Sequence, residues 1–123
     1  MNAAVRRILV VDDDDPSRQL AVSIFESIGW EVDEADGGRQ ALALLAERHY
    51  DRVLLDISMP GMSGEEVCRR IRSDPRIASL RVVAYTAYAF VDDLAVILAA
   101  GFDDVVVKPC AVDRMIAAVI GDA

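Results

Sequence analysis

The sequence predicts an α/β domain built on a doubly wound parallel sheet of five strands with helices on both faces. Two observations carry that expectation. Apolar runs stop abruptly on ionisable residues, in Ile8-Leu9-Val10-Val11-Asp12-Asp13, in Val53-Leu54-Leu55-Asp56 and, with opposite charge, in Val105-Val106-Val107-Lys108-Pro109. A short β-branched run without polar alternation is what a strand looks like when both faces are covered, so the charges are left for its tip. These runs also alternate with segments whose apolar residues recur at helical spacing. Short β–α alternation implies a parallel sheet, because its crossovers are right-handed. In an open α/β sheet the carboxyl ends of the strands converge on a crevice where strand order reverses. Three Asp and one Lys there form a compact polar site suited to phosphate and a divalent cation.

The elements follow in order. Ile8 to Val11 is strand one. Asp15-Pro16 predicts a helix start, with Asp15 as N-cap and Pro16 at the first helical position, where its missing N–H costs nothing. Ala21, Ile24, Phe25 and Ile28 mark that helix's inner stripe, and Gly29 stops it. A strand around Glu31 to Ala35 is broken by Gly37-Gly38. Ala41, Leu44 and Leu45 then mark a second helix ending near His49, a cation suited to a helix C-terminus. Strand three ends on Asp56. The loop Ile57-Ser58-Met59-Pro60-Gly61-Met62-Ser63-Gly64 is too irregular for either period and precedes a helix carrying Val67, Cys68 and Ile71, which Asp74-Pro75 ends. Strand four, Val82-Val83-Ala84-Tyr85, ends on Thr86. A helix with Val91, Leu94, Ala95 and Leu98 on one face stops at Gly101, strand five covers Val105 to Val107, and a last helix carries Val112, Met115, Ile116 and Val119 at i, i+3, i+4 and i+7.

Composition bounds the function. With 123 residues, 54% of them apolar, the chain has the size and core of one domain, and residues 1–123 are expected to form it without an output domain. A formal net charge of -8 argues against sequence-independent nucleic-acid binding, which needs Lys and Arg to replace counterions. No apolar stretch approaches the ~20 residues of a membrane span, and Met1 to Arg7 lacks a signal-peptide apolar region, so no membrane partner and a cytoplasmic location are expected. Cys68 and Cys110 match no metal spacing and read as free thiols, and His49 as the single histidine leaves no multi-histidine metal site.

Four motifs in order, Val10-Val11-Asp12-Asp13, Leu55-Asp56 with the Pro- and Gly-rich loop to Gly64, Thr86-Ala87 and Lys108-Pro109, resemble the receiver domain of the two-component response-regulator family. The resemblance covers essentially the whole chain. It implies a flavodoxin-like sheet of order 2-1-3-4-5, with strands one and three adjacent at the switch point. It also implies a phosphoacceptor role, with Asp56 taking a phosphoryl group from a sensor histidine kinase or a histidine phosphotransfer protein and a downstream protein target reading the phosphorylated form. A phosphorelay shuttle or hybrid-kinase receiver uses the same site.

The residue types suit that chemistry. Asp56 is the expected nucleophile, and phosphoryl transfer asks the protein mainly for positioning and charge neutralisation. Asp12 and Asp13 beside Asp56 repel one another until a hard cation such as Mg²⁺ joins them. By resemblance the backbone carbonyl of Ser58 adds a further ligand. Lys108 brings an ammonium to Asp56 and the phosphoryl oxygens, and the Thr86 hydroxyl with the Ala87 N–H offers them hydrogen bonds. The family also implies a cis Lys108-Pro109 bond.

Singly, each residue has a plainer role: Asp after a strand as turn chemistry, Thr86 as a strand-end hydroxyl, Lys108 as a surface charge. Their joint placement at four strand tips favours the site. A different class, the haloacid-dehalogenase-like phosphatases, is suggested by Asp12-x-Asp14 after an apolar strand, but it leaves Asp56 and the Met59-Pro60-Gly61 loop unexplained. A receiver fold used only for binding is disfavoured by the full set of Asp13, Asp56, Thr86 and Lys108. Two positions depart from the family pattern, and two more bear on the life of a phosphorylated form. Val105 stands where a switch aromatic is usual, Cys110 replaces the aromatic after Lys-Pro, and Ser58 with Tyr88 flanks the path of the hydrolytic water. Tyr88 is expected to shield an aspartyl phosphate and lengthen its life.

Overall fold

Alternation of apolar strands and amphipathic helices yields ten elements: β1 (Arg7–Val11), α1 (Asp15–Ser27), β2 (Glu31–Ala35), α2 (Gly38–Glu47), β3 (Arg52–Asp56), α3 (Gly64–Ser73), β4 (Arg81–Thr86), α4 (Val91–Ala99), β5 (Asp104–Val107) and α5 (Val112–Ile120). The structure is a computed structural model describing residues 6–87 and 91–121, with the side chains of 91–93 left aside. The five strands form one sheet in the order β2-β1-β3-β4-β5, and every pairing is parallel. This is the doubly wound arrangement expected from the sequence. Among the described residues no helix is long and apolar enough to cross a membrane.

The two-residue period of the strands divides the core into two layers. Leu9, Val11, Val53, Leu55, Val82, Ala84 and Val105 pack with residues of α2, α3 and α4 on one face. Ile8, Val10, Leu54, Val83, Tyr85 and Val106 pack with residues of α1 and α5 on the other. Cys68 belongs to the first layer and Cys110 packs against the second, so the two free thiols lie on opposite faces of the sheet. Burial pushes the Cys68 thiol up to about 11.

Five expectations are corrected. The N-cap of α1 is Asp14, whose carboxylate accepts the Ser17 N–H at 3.0 Å. In a run of four Asp the choice is made by Asp12, whose carboxylate accepts the Asp14 N–H at 2.9 Å and turns the chain one residue earlier. Ile28, expected on the inner stripe, is the C-cap and 41% exposed, because the helix has ended and Gly29, at φ +91°, turns the chain away. His49 does not close α2. The helix ends at Glu47, and the His49 side chain is exposed beside Asp51, 3.5 Å away. The inner face of α4 is Leu94 and Ile97, continued by Ala100 just past its end, whereas Ala95 and Leu98 are exposed and the Val91 side chain lies outside the described residues. In α5, Met115, Ala118 and Val119 are buried and Ile116 is half-buried, but Val112 is exposed at the first helical position. Both apolar helices carry more aliphatic residues than one face holds, so spacing alone admits several stripes.

Candidate functional site

The register of the sheet assembles the site. Val11 of β1 is paired with Leu55 of β3, which brings Asp12 beside Asp56, and Thr86 of β4 is paired with Val107 of β5, one residue before Lys108. Asp12 and Asp56 each follow a fully buried run, so the backbone that carries them is held by the core, whereas Lys108 follows Val107, which is exposed at the end of the edge strand β5 after the buried Val105 and Val106. The loop after Asp56 is fixed by contact with α3. The Gly64 N–H donates to the Ile57 carbonyl at 2.9 Å, and a Cβ at Gly64 would collide with the Asp56 carbonyl and the Ile57 Cα, so only glycine allows this approach. Ser63 caps the helix by accepting the Glu66 N–H.

Asp12, Asp13 and Asp56 each offer a carboxylate oxygen within 4.8 Å of the others. Asp12 and Asp56 are buried and Asp13 is exposed, so the cluster is closed beneath and open to solvent on one side. Lys108 Nζ lies 2.8 Å from Asp12 Oδ2 and 3.9 Å from Asp56 Oδ1, and 4.7 Å from the centroid of the Tyr85 ring. The sequence leads one to pair Lys108 with Asp56; the closer partner is Asp12. Although ion-paired, Asp12 Oδ2 is buried without an aligned hydrogen-bond donor. The Lys108-Pro109 bond is cis, as the resemblance implies, and the Lys108 N–H donates to the Thr86 carbonyl at 2.7 Å.

One ammonium does not balance three carboxylates. Burial, then the Asp12 charge, raise the Asp56 carboxyl to about 7 against the opposing pull of Lys108. The Ser58 N–H reaches Asp56 Oδ1 at 3.4 Å and its side chain is exposed. Thr86 is buried at the end of β4, Ala87 is exposed beside it, and Tyr88 lies outside the described residues. A cleft of about 380 Å³ adjoins the site, lined by Ile57, Ser58, Met59, Ser63, Glu65 and Thr86, with Val96 and Ile97 of α4 as its apolar wall. Val105 is buried in the layer beneath, paired with Ala84.

The arrangement of Asp12 as nucleophile with Asp14 as acid/base is not formed, because the Asp14 carboxylate caps α1 and is held below its ordinary range by hydrogen bonds from the Ser17 hydroxyl and the Ser17 N–H. Two contacts were not legible in the motifs. Tyr85 supplies an aromatic face to Lys108, and Arg18 on α1 donates to the Asp12 carbonyl at 2.8 Å. The available signals are an aromatic immediately before the strand-tip Thr and a cation one helical turn after the acidic loop.

The comparisons agree with this geometry. The model of the response regulator receiver domain matches residues 8–120. The virulence sensor protein BvgS of Bordetella pertussis is 40% identical over 114 residues, covering 89% of this chain and 9% of its own length. The regulatory protein AtoC of Escherichia coli is 39% identical over 112 residues, covering 91% of this chain and 24% of its own. The chain thus spans less than a quarter of either relative. Among solved structures, the chemotaxis protein CheY4 of Vibrio cholerae has a TM-score of 0.87 at 26% identity, covering 92% of this chain and 94% of that one. The receiver domain of a sensor histidine kinase from Pseudomonas aeruginosa, with a magnesium ion coordinated in its active-site cleft, has a TM-score of 0.84 at 28% identity, covering 91% and 92%.

Proposed function

We propose that this chain, which belongs to the response regulator receiver domain family, accepts a phosphoryl group on Asp56 from a phosphohistidine of a sensor histidine kinase or histidine phosphotransfer protein. The single observation that carries the proposal is the cluster of Asp12, Asp13 and Asp56 with Lys108 against it, at the carboxyl ends of adjacent strands. An Asp56 oxygen attacks phosphorus in line. The P–N bond of the donor breaks, its electron pair returns to the imidazole nitrogen, and that nitrogen takes up a proton. Only ionised Asp56 is a nucleophile, so a carboxyl titrating near 7 must be held ionised for the reaction to proceed.

The donor set fits a hard divalent cation. Three carboxylates offer oxygens within 4.8 Å, and Asp12 Oδ2, buried without an aligned hydrogen-bond donor, has a lone pair to give. Asp12, Asp13, Asp56 and the Ser58 carbonyl would hold Mg²⁺, which when bound supplies positive charge opposite the phosphoryl oxygens. Lys108, already 3.9 Å from Asp56, moves its ammonium from the carboxylates to the new phosphoryl group, with Tyr85 beneath it as an apolar rest. The Thr86 hydroxyl and Ala87 N–H donate to the same oxygens. A receiver unit of this kind acts by changing what binds it, with a downstream protein as target.

Transfer of label from a phosphorylated histidine donor tests this reading. Label is expected on wild-type protein with Mg²⁺ present, and none with excess chelator or in Asp56→Asn. Label surviving in that variant would sink the assignment.

A further inference from the structure

We infer that Arg18 is the positioning residue of the cation site, tying down the main chain that carries Asp12 and Asp13 without using any of their carboxylate oxygens. The inference rests on the reading of Asp12, Asp13 and Asp56 as a Mg²⁺ site. Arg18 lies at the end of the first turn of α1, and its own N–H is bonded to the Asp14 carbonyl at 2.9 Å. Its guanidinium spends three nitrogens on three different elements. Nη1 donates to the Asp12 backbone carbonyl at 2.8 Å, Nη2 to the Asp15 carboxylate at 2.6 Å, and Nε to the Glu34 carboxylate of β2 at 2.8 Å. The side chain is only 13% exposed, so these contacts are partly shielded from water. Glu34 is held from a second side by Gln19 at 3.1 Å, and the Asp12 N–H donates to the Ala35 carbonyl at 3.0 Å. The β1–α1 loop is therefore pinned to the end of β2 on both sides of Asp12.

The division between two cations is what gives Arg18 its role. Among the described residues, only Lys108 and Arg18 form ion pairs with the acidic run Asp12 to Asp15. Lys108 takes up a carboxylate oxygen of Asp12, whereas Arg18 contacts that residue only through its carbonyl. Four adjacent carboxylates on an unpinned loop would spread apart by repulsion, and each reorientation would be charged against cation binding. A planar fork with donors in fixed directions suits this task, and a single flexible ammonium does not reproduce it.

The two physical roles open to Arg18 have opposite signs. If it acted only through its charge, removing it would leave the site more negative and tighten Mg²⁺. If it positions the loop, removing it weakens Mg²⁺. Titrating Mg²⁺ into wild type, Arg18→Ala and Arg18→Lys, read by backbone amide shifts of the β1–α1 loop and by calorimetry, decides between them. The expected result is an affinity lower by roughly ten- to hundredfold in Arg18→Ala, the range usual for groups that orient metal ligands. Arg18→Lys keeps the charge but not the fork, and its affinity should remain well below wild type, with amide shifts outside the loop unchanged. Affinity that is unchanged or tighter in Arg18→Ala, or fully restored by Arg18→Lys, overturns the inference. Should the alanine variant not fold, the lysine variant alone reads the same contrast. Mg²⁺ binding that survives the double substitution Asp12→Asn with Asp13→Asn, Arg18 being kept, would instead fail the underlying site, a result distinct from failure of the Arg18 role.

Discussion

The two edges of the sheet both gather charge, and they treat it differently. At the amino edge, arginines are matched donor for acceptor. Arg52 donates to the Val119 and Ile120 carbonyls at 2.8 and 3.0 Å, and Arg81 donates twice to the Ala118 carbonyl at 3.0 and 2.8 Å. Those carbonyls close α5, where a helix end leaves acceptors without partners and carries partial negative charge. Arg72 likewise joins the Gly101, Ala78 and Leu80 carbonyls and the Asp103 carboxylate, holding the approaches to β4 and β5. At the carboxyl edge, three carboxylates face one ammonium and one carboxyl rises to about 7. Charge that is fully matched holds the fold together. Charge left unmatched costs stability and marks the place where a ligand completes the set.

Breaking the matched edge should have the largest effect. Arg72→Ala removes four hydrogen bonds and leaves half-buried carbonyls without a donor, and should cost about 2–4 kcal/mol in denaturant unfolding while leaving Mg²⁺ affinity unchanged. A loss below about 1 kcal/mol would mean that the amino edge is not the stabilising one.

The unmatched edge predicts the opposite sign and a pH dependence. The Asp56 carboxyl is raised in the folded protein to about 7 from an ordinary value of 3.8, so the fold binds its proton more tightly than the unfolded chain does. That contribution is complete below about pH 4 and is lost as pH rises through about 7. Asp56→Asn removes the repulsion and should therefore stabilise the protein at pH 8, by on the order of a few kcal/mol, with a much smaller gain at pH 4. Thermal melts at the two pH values without divalent cations check this. An equal shift at both would show that repulsion is not what the substitution relieves.

Smaller effects sharpen the picture of the core. Val112 is 49% exposed, so Val112→Ser should change stability by no more than about 0.5 kcal/mol, whereas Met115→Ala, at a buried position, should cost about 2–5 kcal/mol. Similar losses in both would restore Val112 to the inner stripe.

These contrasts also show what a reader of the sequence can see. Strand tips are legible because a buried run cannot contain a charge, so Asp12 and Asp56 announce the ends of β1 and β3; Lys108 marks the end of β5 as well, although Val107 before it is already exposed. The inner face of α4 is not, since Val96, Ile97 and Leu98 are consecutive aliphatics and only packing selects Ile97. The helix start was ambiguous by one residue because any of several Asp can cap, and the Asp12 carboxylate settles it through a bond to the next turn. Within the candidate site, residue types and strand ends pointed to residues that the fold brings together, Asp12, Asp13, Asp56 and Lys108. The preference of Lys108 for Asp12 over Asp56 and the grip of Arg18 on a backbone carbonyl depend on distances of a few ångströms that no spacing rule contains.

The central claim, that the carboxyl edge holds charge in reserve for a cation, is tested most directly by following the Asp56 side-chain carboxyl carbon by NMR as pH is varied, with and without saturating Mg²⁺. Without the cation the account predicts a titration near 7, and with it a displacement to markedly lower pH. An Asp56 carboxyl that titrates near 4 in both conditions would contradict it.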